Sequence, residues 1–156
     1  MLSILVIDDN LSLQIAFTKI LTSAGYHIGT ASDGEEGLRL ARESIPDLIV
    51  LDMLLPKLGG VEVLRALKRD PATKRIPVIA LSGLPRSNEA KLLGEGAVSY
   101  LEKERLEEPV ALLHAVEDAL MQPRPDEFQQ ASFDFKPAKV VSPNDKTAAS
   151  AVFAQK

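Results

Sequence analysis

The chain has 156 residues, of which 46% are hydrophobic and 26% are charged, a composition that suits one globular domain with a short remainder. The net charge of −4 argues against a nucleic-acid-binding surface, which is normally basic, and the absence of cysteine excludes disulfides and cysteine-ligated zinc. No apolar run approaches the roughly 20 residues of a membrane span, and the apolar start of the chain is too short for a signal peptide. We therefore expect a soluble cytoplasmic protein that neither binds nucleic acid nor inserts into a membrane.

Five short apolar runs recur along the chain and are predicted to be β-strands. They are SILVI (3–7), HIGTA (27–31), DLIVL (47–51), PVIAL (77–81) and VSYL (98–101). Their nearly continuous apolar character is typical of strands that are buried on both faces, as in a parallel sheet. Because helical segments separate the runs, the alternation predicts an α/β fold, a five-stranded parallel sheet covered by helices on both faces.

The first helix is predicted from an apolar stripe at helical spacing. Gly25 follows this stripe where the glycine that ends a helix is expected. The stripe consists of Leu13, Ala16, Phe17, Ile20, Leu21 and Ala24.

The remaining helices are indicated mainly by their first residues. Asp33 and Glu36 have the spacing of a capping box at the start of the second helix. Apolar residues at positions 61, 64 and 67 mark the third, and a short, weakly patterned fourth helix is predicted around 88–93. The fifth opens at Glu107-Glu108-Pro109, with acids in the first turn and proline near the first helical position.

Residues 123–156 differ from the rest of the chain in composition and hydrophobic pattern. They hold four of the ten prolines and four of the five phenylalanines, with no sustained hydrophobic period. We interpret residues 1–122 as the domain and 123–156 as a flexible tail without an output domain. An inert tail is one hypothesis, and a docking segment around FQQASFDF is the other.

Polar residues stand at the carboxyl ends of four predicted strands. In open α/β sheets this edge carries the ligand crevice. The residues are Asp8 and Asp9 after the first strand, Asp52 after the third, Ser82 after the fourth and Lys103 after the fifth. Three neighbouring carboxylates repel one another, which favours a raised pKa or a bound cation. Mg²⁺ is a hard cation that takes carboxylates and keeps waters for a phosphate.

Asp52 follows an unusually apolar run, LIVL, and an unpaired buried charge costs several kcal/mol. We therefore expect Asp52 to lie near water at the mouth of the strand or to face a cation. Each of the other residues has a simpler explanation when taken alone: a helix cap for Asp8-Asp9, a turn for Ser82 and a solvated lysine for Lys103.

The chain resembles bacterial response-regulator receiver domains over about residues 2–121. The resemblance is carried by VIDDN (6–10), LDMLLPKLGG (51–60), ALSG (80–83) and GAVSYLEK (96–103). It implies a flavodoxin-like fold with strand order 2-1-3-4-5. It also implies a protein of two-component (phosphorelay) signalling that is phosphorylated on an aspartate.

The resemblance assigns a role to each of these residues. Asp52 would be the phosphoacceptor, Lys103 and Ser82 would contact the phosphoryl oxygens, and Tyr100 would be a switch residue that rotates inward as Ser82 moves. Mg²⁺, or Mn²⁺ in its place, would be bound by Asp8, Asp9, Asp52 and the backbone carbonyl of Leu54. Alternatively, Tyr100 is only a half-buried strand tyrosine.

Three departures from the family pattern affect these expectations. Glu104 stands where a proline usually follows the lysine, so the loop after the fifth strand is expected to differ. Gly83 replaces the usual alanine, and either residue is small. Leu54 and Leu84 are apolar where many members are polar, and we hypothesise that they shield an acyl phosphate from water.

The partners implied are a sensor histidine kinase or phosphotransfer protein and a downstream protein target. With no output domain expected, output would run through protein contacts, phosphate relay or dimerisation, and the protein would not be an enzyme beyond its own phosphorylation and dephosphorylation. The first rival interpretation is a pseudo-receiver scaffold that binds partners without phosphorylation. The second is a haloacid-dehalogenase-type phosphatase, which would need two aspartates separated by one residue, whereas Asp8 and Asp9 are adjacent.

Overall fold

A computed structural model of the protein describes residues 1–83 and 88–122, apart from the side chains of residues 106 and 107. The predictions about the tail at 123–156 and about Leu84 lie outside these residues. Within the described ranges, five strands alternate with five helices, and a short 3₁₀ helix, Lys103–Glu107, follows the last of these strands. In chain order the elements are β1 Ser3–Ile7, α1 Leu11–Ser23, β2 His27–Ala31, α2 Gly34–Ser44, β3 Leu48–Asp52, α3 Gly60–Arg69, β4 Val78–Ser82, α4 Glu89–Gly94, β5 Ser99–Glu102 and α5 Pro109–Met121.

All four strand pairings are parallel, and the order is β2-β1-β3-β4-β5, as expected. Successive residues of a strand point to opposite faces, so the sheet separates two hydrophobic cores. In β1, Leu5 and Ile7 belong to the core that also contains α2 and α3 residues, while Ile4 and Val6 belong to the core beneath α1 and α5. Burial on both faces explains why the central strands are almost entirely apolar.

Local signals set the ends of three helices where the sequence predicts them. Asp33 caps α2, because its Oδ1 accepts a hydrogen bond from the Glu36 backbone N–H at 2.8 Å. Gly25 follows the end of α1 with a φ of +99°, which glycine adopts at little cost. Pro109 is the first residue of α5, where its missing N–H is not needed. The expected acids in the first turn of α5 are wrong, because Glu107 ends the preceding 3₁₀ helix and Glu108 is the N-cap residue.

The buried face of α1 differs from the predicted stripe. Phe17 and Leu21 are buried as expected, but Ala16 and Ala24 are exposed and the polar Gln14 is buried instead. The reason is that Gln14 lies on the same helical face as Phe17 and Leu21, three and seven residues before them.

Strands β3 and β4 each begin and end one residue later than their apolar runs. Asp52 and Ser82 are the last residues of these strands, as expected. Backbone pairing continues through both positions, since Asp52 is in register with Leu81, and Ser82 with Glu102. This continuation fixes the backbone beneath the polar edge of the sheet.

Gly60 brings α3 close to the end of β3. A Cβ atom at this position would lie 2.6 Å from the backbone oxygen of Asp52 and would also overlap the backbone of Met53. Only glycine permits this approach, because the obstructing atoms are backbone and cannot rotate away.

Candidate acidic site at the carboxyl edge of the sheet

The three predicted aspartates come together at one edge of the sheet. Asp8 follows β1, Asp9 is next to it, and Asp52 ends the neighbouring strand β3. One carboxylate oxygen from each lies within 4.8 Å of the others. The geometry thus confirms that these side chains share a site, which the sequence could only infer from strand ends.

The Asp52 carboxylate is buried, with 1% of the residue exposed. Its Oδ1 accepts a hydrogen bond from the Leu54 backbone N–H at 3.0 Å, and the Lys103 ammonium lies 3.1 Å from its Oδ2. As expected, Asp52 lies at the mouth of its strand and faces a cation, but its carboxylate is buried rather than near water. Charge pairing offsets part of the desolvation penalty of this carboxylate.

Asp8 is fully buried and carries the strongest electrostatic perturbation in the site. The pKa of Asp8 is raised from 3.8 to about 6, chiefly by burial and also by the nearby Asp52 charge. A hydrogen bond from the Asn10 backbone N–H to Oδ1, at 2.8 Å, and the Lys103 ammonium, 3.9 Å from Oδ2, lower the pKa and limit the shift. The Asp8 carboxyl group therefore changes charge near pH 6, closer to neutrality than an ordinary aspartate.

The oxygen atoms left over in this cluster suit a hard divalent cation. Neither Asp8 Oδ2 nor Asp52 Oδ2 accepts a hydrogen bond from any residue in the described ranges, although both are buried. Asp9 is exposed at the rim and adds a third carboxylate. Mg²⁺ and Mn²⁺ prefer all-oxygen ligand sets, so the residues present fit the predicted metal.

The other predicted site residues lie on neighbouring elements. Ser82 is completely buried at the end of β4, beside β3. Lys103 reaches Asp52 even though Glu104, rather than proline, follows it, and a 3₁₀ helix begins at Lys103. Leu54 is 56% exposed. Tyr100 is half-buried in β5 and packs against the core that contains α2 and α3 residues.

Gln14 is a polar residue next to the acidic cluster that the sequence analysis missed. Its side-chain Nε2 donates to the backbone oxygen of Asp8 at 2.6 Å. The available signal was a polar residue in register with Phe17 and Leu21 on the buried face of α1.

Comparison with known proteins shows the family of this chain. The family model described as "Response regulator receiver domain" matches residues 4–117. The chain belongs to the response regulator receiver domain family. Receiver domains act in two-component signalling and bind Mg²⁺ in an acidic pocket, so Asp8, Asp9 and Asp52 form the phosphoacceptor aspartate cluster of such a domain.

Individual relatives agree with this assignment. The chain is 34% identical over 102 residues to the polar-differentiation response regulator DivK of Brucella anthropi, covering 65% of this chain and 83% of DivK. It is 40% identical over 104 residues to the transcriptional regulatory protein AfsQ1 of Streptomyces coelicolor, covering 65% of this chain but only 44% of AfsQ1. The chain thus spans less than half the length of that relative.

Solved structures of receivers share the fold. The chemotaxis protein CheY4 of Vibrio cholerae superposes with a TM-score of 0.71 at 28% identity, covering 76% of this chain and 98% of CheY4. A putative response regulator from Chloroflexus aurantiacus gives 0.72 at 29% identity, covering 77% and 98%. Within the described residues, no helix is both long enough and apolar enough to cross a membrane.

Proposed function

We propose that this receiver accepts a phosphoryl group on Asp52 from a histidine kinase or phosphotransfer protein and uses it to change a protein-binding surface. The observation that carries the proposal is the state of Asp52 Oδ2. This atom is buried beside two further carboxylates, where it forms an ion pair with the Lys103 ammonium at 3.1 Å but accepts no directional hydrogen bond from a described residue. A carboxylate oxygen in that state is available to form a new bond.

The proposed reaction is an in-line displacement at phosphorus. The Asp52 carboxylate forms an O–P bond while the P–N bond to the donor histidine breaks, and the departing imidazole ring keeps the bonding electron pair. The product is an acyl phosphate with a charge of about −1.5 to −2. Positioning and charge neutralisation supply most of the rate enhancement in such a transfer.

Three groups of this chain would stabilise the product. The Lys103 ammonium, already 3.1 Å from Oδ2, would pair with phosphoryl oxygens. The Leu54 N–H already holds Oδ1 and so fixes the direction of the carboxylate. Ser82, on the adjacent strand, would donate its hydroxyl hydrogen to a phosphoryl oxygen.

The acidic cluster would hold the metal that this chemistry uses. We assign Asp9, Asp52 and the Leu54 carbonyl as direct ligands, with Asp8 acting largely through water. Bound there, Mg²⁺ or Mn²⁺ would neutralise charge on the transferred group.

Output would follow from a local change in charge and packing. Movement of Ser82 toward the phosphoryl group would leave space for Tyr100 to rotate inward and alter the surface around β5 and its neighbouring helices. A downstream protein, or a second copy of this chain, would recognise that surface. In this scheme the chain catalyses only its own phosphorylation and dephosphorylation.

Incubation with acetyl phosphate and Mg²⁺, followed by intact-protein mass spectrometry, tests the proposal. The wild type should gain the mass of one phosphoryl group, and Asp52→Asn should gain none. Asp33→Asn is the control, because asparagine caps helix α2 as well as aspartate does and the position lies outside the site. If the wild type gains no mass from acetyl phosphate or from a cognate kinase, the pseudo-receiver scaffold is the better description.

A further inference from the structure

Gln14 ties helix α1 to the ends of strands β1 and β2. The side chain is buried, with 6% of the residue exposed. Its Nε2 donates to the backbone oxygen of Asp8 at 2.6 Å, to that of Ala31 at 3.1 Å and to the Ser32 hydroxyl at 3.3 Å. Since an amide has two N–H bonds, these three acceptors share them, and the Asp8 oxygen has the shortest contact.

The contact with Gln14 completes the immobilisation of Asp8. The Asp8 backbone N–H donates to the Ala31 oxygen at 3.0 Å, and Asp8 Oδ1 accepts from the Asn10 N–H at 2.8 Å. With Gln14 on its carbonyl, Asp8 is held at its N–H, its C=O and one carboxylate oxygen. The remaining oxygen, Oδ2, is the one directed into the acidic cluster.

The same hydrogen bond also influences Asp9. The Asp8 carbonyl lies in the rigid peptide plane that joins the two aspartates. Holding its oxygen fixes the rotation of that plane, and with it the direction in which the Asp9 side chain leaves the backbone. Asp9 is exposed, so packing contributes little to fixing its direction.

Gln14 provides this restraint without adding charge. A side-chain amide is neutral, whereas lysine and arginine would donate to the same oxygens with a positive charge. A cation beside Asp8 and Asp9 would oppose the binding of a divalent metal ion. A neutral donor therefore orients the carboxylates and leaves their charge available.

We propose that Gln14 is a positioning residue for the metal site: its side-chain amide holds the Asp8–Asp9 peptide so that both carboxylates are directed toward a divalent cation shared with Asp52. This inference rests on the proposed function, because it requires that the acidic cluster bind Mg²⁺. Gln14 itself would not contact the metal.

Calorimetric titration with Mg²⁺ tests the role of Gln14. Gln14→Met removes the donor at nearly unchanged length, and it should raise the Kd for Mg²⁺ by about tenfold, as expected for a residue that orients metal ligands. Its rate of phosphorylation by acetyl phosphate should recover toward wild type when Mg²⁺ is saturating. Thr18→Val is the matched control, since it removes a 2.7 Å hydrogen bond to the Gln14 backbone oxygen within the same helix and should leave the Kd unchanged.

If Gln14→Met does not fold, a measurement on the wild type still tests the role of Gln14. In a Mg²⁺ titration followed by NMR, the side-chain amide signals of Gln14 should shift as the metal binds, while those of the exposed Gln122 should not. An unmoved Gln14 signal, or a folded Gln14→Met with the Kd of the wild type, overturns the inference alone. A wild type that binds no Mg²⁺ overturns the metal part of the proposed function as well.

Discussion

The buried carboxylate of Asp8 should make the metal-free protein less stable as the pH rises. Its pKa is raised from 3.8 to about 6, chiefly by burial. The folded state therefore retains this proton at pH values where the unfolded chain has lost it. The associated stability is fully present below pH 3.8 and is lost as the pH rises through 6.

Asp8→Asn removes the contribution of Asp8 to the pH dependence of stability, so comparing it with the wild type measures the size of that contribution. A shift of about two units corresponds to about 3 kcal/mol at 1.36 kcal/mol per unit. Asparagine keeps the acceptor for the Asn10 N–H and carries no charge into the site. In the absence of metal, the mutant should be similar in stability to the wild type near pH 4 and about 3 kcal/mol more stable near pH 7.5.

Urea unfolding followed by circular dichroism, in EDTA at several pH values, measures this difference. Saturating Mg²⁺ should stabilise the wild type, by about 2.7 kcal/mol at one hundred times its Kd, and should stabilise Asp8→Asn less. Asp33→Asn controls for the loss of an acid outside the site. A stability difference between Asp8→Asn and wild type that does not change between pH 4 and pH 7.5 would refute the reasoning.

Four further substitutions, one of them a control, test how the phosphoacceptor is held and used. Gly60→Ala should lower the free energy of unfolding by about 1–3 kcal/mol, because its methyl group would lie 2.6 Å from the Asp52 backbone oxygen. In the same urea assay, Gly59→Ala should lower the free energy of unfolding by less than about 1 kcal/mol, because its methyl group meets only the flexible end of a glutamate side chain. Equal decreases for the two variants would contradict this packing argument. Lys103→Met should slow phosphorylation by acetyl phosphate at least about tenfold, because it removes the ammonium 3.1 Å from Asp52, and a rate equal to wild type would exclude that role. Leu54→Asn should speed hydrolysis of the acyl phosphate by admitting water, and an unchanged or slower rate of mass loss would reject the shielding hypothesis.

The architecture was accessible from the sequence because it depends on local signals. Apolar runs, the Asp33 cap and Gly25 each act over a few residues, and each is found where it was expected. The strand order could not be obtained from these local signals; it was predicted from the resemblance to receiver domains, and it is confirmed. Asp52 and Ser82 were expected at the ends of their strands and are found there, although the apolar runs stop one residue earlier, because a strand ladder is formed by the backbone and continues through polar residues.

The environment of each site residue was harder to predict. Whether Asp52 met water or a cation depended on where Lys103 pointed, and that is set by the pairing of distant strands. Gln14 was missed because its partners are mainly backbone oxygens, which every residue possesses and which no sequence pattern distinguishes. Long-range geometry, rather than residue type, decided both cases.

The most direct test of the central claim is to locate the phosphoryl group on the chain. Borohydride reduction of the phosphorylated protein converts an aspartyl phosphate to homoserine, and trypsin then separates residues 43–57, which contain Asp52, from residues 1–19, which contain Asp8 and Asp9. Homoserine at position 52 is the predicted result. Homoserine at position 8 or 9, or a phosphoryl group that resists reduction, would contradict the account.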